Sequence, residues 1–164
     1  MMLVPLAKPT PPAAPRRNVG RHLQPDTSPL QEQESTMTVH LDHLMVPSRD
    51  KTASAKLLAE LLGVPWSETG VGPFAPVYVN DGLTIDFDEW TDPFPMIHYC
   101  FRVGQDDFNV ILERIRAAGI PYRSSVRGPV DFRIDTEHGG SIVYWNEPDG
   151  HQWEVLTVSY ARQA

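Results

Sequence analysis

A chain of 164 residues has room for one ordinary domain, and a hydrophobic content of 41 % suits a globular fold. A net charge of −7 disfavours nucleic acid or an anionic membrane as partner, since both demand a basic face. The single cysteine, Cys100, excludes an intrachain disulfide and a cysteine-rich zinc site, and it fits a reducing cytoplasm.

Residues 1–36 differ from the rest. They carry seven of the sixteen prolines, together with Arg16, Arg17, Arg21 and the polar run Gln31 to Thr36. This composition predicts a disordered extension. Its apolar stretches are too short for a signal-peptide core or a membrane span. The patterned sequence starts after Met37, which is the expected natural start, so residues 37–164 are expected to form the domain.

Val39 to Val46 reads as a strand ended by Pro47 and Ser48. Asp50 to Leu62 has helical periodicity, with Ser48 or Asp50 as its cap and Gly63 as its stop. A short extended piece follows at Val64-Pro65-Trp66. Pro76 to Asn80 and Leu83 to Asp88 are strands flanking an Asp81-Gly82 hairpin turn. After Pro93 and Pro95 the order starts again. Met96 to Val103 is a strand, and Asp106 to Ala118 a helix capped by Asp106 or Asp107. Ile120-Pro121-Tyr122 is a short extended piece. Ile142 to Trp145 and His151 to Val158 are strands around the Asp149-Gly150 turn.

The halves match residue by residue. Gly63-Val64-Pro65-Trp66 recurs as Gly119-Ile120-Pro121-Tyr122, and Gly72-Pro73 as Gly128-Pro129, both at a shift of 56. Asp81-Gly82 recurs as Asp149-Gly150 at a shift of 68, which places a twelve-residue insertion within Val130 to Ser141. The chain is therefore expected to be α+β, with two βαβββ modules spanning about 38–92 and 93–160. Each helix covers one sheet face, leaving the other for a cavity.

The repeat singles out four polar residues. His43 in the first strand matches His98 in the fifth; Asp86 and Glu154 each lie five residues beyond an Asp-Gly turn. Alternation puts His98, Asp86 and Glu154 opposite the apolar rows Ile97-Tyr99-Phe101 and Leu83-Ile85-Phe87. Two imidazoles and two carboxylates suit zinc, nickel, manganese, iron or cobalt. Taken singly, each residue has a structural reading: a hydrogen-bonded core histidine, a solvated strand acid, or Glu154 paired with Arg102. Tyr99, Tyr144, Trp145 and Trp153 read as packing residues, and His138 and His151 as loop and turn residues. Arg123, Arg127 and Arg133 either recognise an anionic substrate group or balance nearby acids.

With His43 in LDHLMVP, His98 in IHYCFRV and Glu154 in EPDGHQWEVL, residues 38–160 resemble the vicinal oxygen chelate superfamily. That superfamily includes glyoxalase I, fosfomycin- and bleomycin-resistance proteins and extradiol dioxygenases. The resemblance implies an incompletely closed, eight-stranded barrel around a divalent metal. The implied ligands are His43, His98, Glu154 and Asp86, with Glu154 or Asp86 as the group that moves a proton. It also implies a small oxygenated substrate and a homodimer. Lyase or isomerase chemistry leads; a small dioxygenase and a metal-free, bleomycin-resistance-like binding protein are the alternatives. Glyoxalase I has Glu where this chain has the shorter Asp86, so Asp86 is either a fourth ligand or a base beside a three-ligand site.

Overall fold

The computed structural model describes residues 38–161. The expected extension 1–36 and the expected start at Met37 lie outside the described residues. The element order is β1 (His43–Ser48), α1 (Lys51–Leu62), β2 (Ala75–Asn80), β3 (Leu83–Glu89), β4 (His98–Arg102), α2 (Gln105–Ala117), β5 (Tyr122–Arg123), β6 (Ile142–Asn146) and β7 (Gln152–Leu156). The strands form two mixed sheets, ordered β1-β3-β2 and β4-β7-β6-β5. In each sheet the module's first strand runs parallel to its last, β1 with β3 and β4 with β7, as a repeated βαβββ unit requires. No helix among the described residues is long and apolar enough to cross a membrane.

Seven strands stand where eight are expected. The missing one is the extended piece after α1, reduced to a single bridge between Trp66 and Val77. Two backbone bonds still dock it, Tyr78 N–H to Pro65 O at 2.9 Å and Ser67 N–H to Pro76 O at 3.0 Å. Pro65 and Pro76 both lack the N–H that would extend the ladder.

Local signals account for the helix ends. Asp50 Oδ1 accepts the Ala53 N–H at 2.9 Å, and Gly63 closes α1 in the left-handed region at φ 75°. The second helix departs from expectation: its N-cap is Gly104, with no side-chain cap bond. Asp106 and Asp107 lie within the first turn, where their charge favours the helix N-terminus. Strand β1 also differs, running through Pro47 and Ser48 instead of ending before them. Pro47 is tolerated because β1 is an edge strand.

One apolar core joins both modules. Leu58, Ala59 and Leu61 of α1 and Phe108, Ile111 and Ile115 of α2 pack with Val46, Ile85, Phe87, Trp145, Trp153 and Val155 of the sheets. At its centre Trp153 stacks on Tyr99 and Phe101, with ring centroids 4.6 and 5.7 Å away. Phe87 of the first module lies 6.4 Å from the same ring.

The β6–β7 turn locks the modules together. Asp149 Oδ2 accepts Ser48 Oγ–H at 2.7 Å and Arg49 N–H at 3.0 Å, both from the β1–α1 junction. His151, expected as a turn residue, is completely buried. Its Nδ1 accepts the Ile97 N–H at 3.1 Å and its Nε2 donates to Pro47 O at 2.8 Å, so both ring nitrogens are satisfied by one neutral tautomer. Phe94 stacks on the same imidazole at 5.5 Å and carries the Arg49 guanidinium on its ring at 4.8 Å.

This clasp predicts a measurable loss. Asp149→Ala leaves the Ser48 hydroxyl and Arg49 amide without their carboxylate, and urea unfolding is expected to show a destabilisation of about 2 kcal/mol.

Candidate functional site

Alternation decides which side chains leave the core. In β7, Trp153 and Val155 enter it, so Gln152, Glu154 and Leu156 face the opposite side. His98 and Cys100 of β4 share that side, as do Ile142 and Tyr144 of β6. In the other sheet Leu44, Val46, Ile85 and Phe87 face the core, which turns His43, Met45, Thr84 and Asp86 away from it. The four residues predicted from sequence therefore all lie on the sheet faces that the helices leave open.

They come together in two pairs. His98 Nε2 lies 2.9 Å from Glu154 Oε2 on the second sheet. His43 and Asp86 line one hollow of about 360 Å³ on the first, with Thr84, Phe74 and Tyr78 around them. Among the described residues, no three of His, Cys, Asp and Glu converge on one point. A single chain thus presents two candidate half-sites.

The half-sites differ in wetness. Glu154 has 0 % of its side chain exposed and His98 36 %. The His43 side chain is 65 % exposed, and its Nδ1 meets Asp42 Oδ2 at 2.9 Å. That hydrogen bond is the main reason the His43 imidazole is held above its ordinary value. Asp86 is pushed up by partial burial, with His43 opposing the shift.

Glu154 is the residue that needs explaining. No Lys or Arg makes an ion pair with it among the described residues, so the Arg102 pairing does not form. Its partners are His98 and Tyr160, whose hydroxyl donates to Oε1 at 3.0 Å and Oε2 at 3.2 Å. Burying a carboxylate is costly unless a cation or several hydrogen bonds compensate. A buried carboxylate beside a partly exposed imidazole, with no competing guanidinium or ammonium among the described residues, fits a divalent metal's donor requirements.

Two features escape the sequence reading. Tyr160 carries no motif; it is the sixth residue after Glu154 and returns to it from beyond β7. Tyr144 stands on the site face, not in the main core, with its ring 6.2 Å from His98. Burial first, then Tyr160 and Glu154, push its phenol upward. Alternation from Trp145 inward gives Tyr144 outward, a signal available in the sequence. Tyr99, Trp145 and Trp153 do pack in the core as expected.

The insertion forms one wall of a cavity beside this half-site. Gln152 Nε2 donates to Val126 O at 2.7 Å and so anchors the loop from the site face of β7. Asp131 organises its tip by accepting Ser124 N–H, Ser124 Oγ–H and Arg133 N–H. These bonds, the Ser124 hydroxyl above all, hold its carboxyl below the ordinary range. The cavity measures about 470 Å³ and is lined by Ser124, Ser125, Arg133, Asp135, Thr136, Glu137, His138 and Tyr144, among others. Of the three arginines noted in the sequence, only Arg133 lines it.

Comparison with solved structures decides the family. A chain described as oxidase ChaP-H2 is 38 % identical, with 78 % of this chain and all of that chain covered at a TM-score of 0.73. The chain belongs to the vicinal oxygen chelate superfamily. More distant members share the fold. The fosfomycin resistance protein FosX from Mesorhizobium loti is 18 % identical, with 76 % of this chain and 97 % of that chain covered at a TM-score of 0.54. Lactoylglutathione lyase from Agrobacterium tumefaciens is 14 % identical, with 76 % and 96 % covered at 0.53. No family model and no curated protein sequence matches the chain. The superfamily fold confirms the α+β architecture of repeated βαβββ modules expected from the sequence.

Cys100 offers a test of the electrostatics on this face. It is partly exposed, yet burial first and the Glu154 carboxylate second push its thiol up to about 12. Iodoacetamide at pH 8 is expected to alkylate it at least about tenfold more slowly than a free cysteine. Glu154→Gln is expected to raise that rate, because the carboxylate no longer opposes thiolate formation.

Proposed function

We propose that the chain is a divalent-metal-dependent enzyme, oxidase-like, acting on a small oxygenated substrate, with its site shared between two copies of the chain. The observation that carries this reading is Glu154: a carboxylate with no exposure, set against an imidazole and without an Arg or Lys. His43, His98 and Glu154 are the proposed ligands, and two histidines with one carboxylate are a donor set suited to iron(II) with open positions. Two similar solved chains, at 38 % and 37 % identity, are both described as oxidases, which favours redox chemistry over the lyase or isomerase expected from sequence. When bound, such an ion supplies Lewis-acid and redox chemistry to substrate oxygens.

The chain's own residues do the rest. The 470 Å³ cavity is within the range of small-ligand sites and adjoins His98 through Tyr144. Its hydroxyls and Arg133 would hold the remote part of an oxygenated substrate. Asp86, raised by burial, is proposed to accept or hold a proton beside the substrate. It is a fourth ligand only if its shorter side chain reaches the ion. A protonatable acid next to a ligand histidine serves either role without changing the three-ligand core.

The placement of the pairs supports a second copy. Both pairs face away from the shared core, and among the described residues they do not converge within one chain. In a twofold dimer, the His43–Asp86 face of one copy covers the His98–Glu154 face of the other, and symmetry makes two such sites. Met45 at 47 % exposure and Tyr78 at 42 % leave apolar surface beside the first half-site, as an interface centre requires.

Metal content per purified chain tests the reading. His98→Ala and Glu154→Ala are each expected to lower metal affinity at least about tenfold. A native chain that takes up no iron, zinc, nickel, manganese or cobalt sinks the proposal. The shared site has its own test. Mixed and refolded together, His43→Ala and His98→Ala chains should recover about one quarter of the wild-type metal capacity, because half the dimers then hold one intact site of two. A site contained within one chain gives no recovery.

A further inference from the structure

The Glu154 carboxylate has two oxygens in different surroundings. Oε2 faces the His98 ring at 2.9 Å. The Tyr160 hydroxyl bridges the two, donating to Oε1 at 3.0 Å and to Oε2 at 3.2 Å. Tyr160 belongs to the segment that follows β7, and 46 % of its surface is exposed. Its ring therefore contributes little to the core; the hydroxyl is the part that is held.

A glutamate's terminal torsion is broad and roughly two-fold, so either oxygen can turn toward a bound cation unless something restrains them. A donor that bridges the two oxygens restrains both. The nature of that donor matters. An Arg or Lys here would neutralise the carboxylate and repel a second cation, whereas a phenol donates one hydrogen bond and leaves the negative charge available. The Tyr160 ring also lies 5.6 Å from that of His138, which lines the adjoining cavity.

We propose that Tyr160 is a positioning residue whose hydroxyl bridges the Glu154 oxygens and thereby fixes the carboxylate, beside His98, for a divalent cation. This rests on the metal-site reading above. Tyr160 touches neither the ion nor the reacting atoms; it acts through Glu154. Its hydroxyl orients the carboxylate before the cation arrives, so its loss weakens binding without unfolding the sheet.

Tyr160→Phe removes the hydroxyl alone. Zinc binding to the full chain, measured by competition with a chromophoric chelator, is expected to weaken by roughly 10- to 100-fold in this variant. The melting temperature without metal is expected to stay at the wild-type value. Wild-type affinity in the variant, within about twofold, overturns the role of Tyr160 while leaving the metal site standing. A parallel fall in the metal-free melting temperature also overturns it, because the hydroxyl is then structural. Failure of the wild-type chain to bind zinc or any other divalent ion removes the metal reading, and this inference with it.

Discussion

Trp153 governs where everything else on β7 can point. It is held between Tyr99 and Phe101 and reaches Phe87 across the modules, so its ring cannot leave the core without exposing a large apolar surface. In a strand the next residue must face the other way, and the next residue is Glu154. A register slip by one would drive the carboxylate into the aromatic stack and bring Trp153 out. The chemistry of the open face thus depends on an aromatic anchor that never touches it. The same logic runs through the first sheet, where Phe87 faces inward and Asp86 outward.

The intermodule clasp explains why each half-site is on a fixed face. Asp149 and His151 tie the β6–β7 turn to the β1–α1 junction, next to the start of the strand that carries His98. The Pro148-Asp149-Gly150 turn therefore has two functions in one stretch. It reverses the chain, with Gly150 at φ 96°, and it supplies the carboxylate that joins the modules. The first-module turn Asp81-Gly82 is chemically similar but has no such contact: Asn80 bonds the Gly82 amide locally instead. A repeat that looks symmetric in sequence is used asymmetrically in space.

Much of this was legible in the sequence because it rests on short-range rules. Periodicity located both helices, and the paired Gly-x-Pro and Asp-Gly marks exposed the repeat. Alternation correctly assigned the outward faces of His98, Asp86 and Glu154. What stayed hidden depends on long-range contact. Nothing in Ser159-Tyr160 announces that the hydroxyl folds back on Glu154, and nothing in the Asp-Gly-His sequence announces that His151 is completely buried. The beginning of β1 was misplaced for a similar reason. Val39 and Leu41 have strand-like character, but pairing with β3 begins only at His43 opposite Thr84. The four predicted site residues could be named one by one from the repeat. Their division into two pairs followed only from the shared core, which no local pattern encodes.

The unequal burial of the pairs has a thermodynamic consequence on the shared-site reading. In the His98–Glu154 pair the carboxylate is buried and already set against a partly exposed imidazole, so this pair would have the stronger claim on an incoming cation. The His43–Asp86 pair is wet, and His43 leans on its neighbour Asp42. A cation held by the second module alone would keep open positions facing solvent. Covering it with the first-module face of another copy adds a ligand and removes water in one step. Metal binding and association are then linked, and each must strengthen the other by the same free energy. The wet half-site is thus not a defect of the single chain. On the shared-site reading it is the part of the site whose burial would wait for the second chain, and that wait would make occupancy and assembly report on one another.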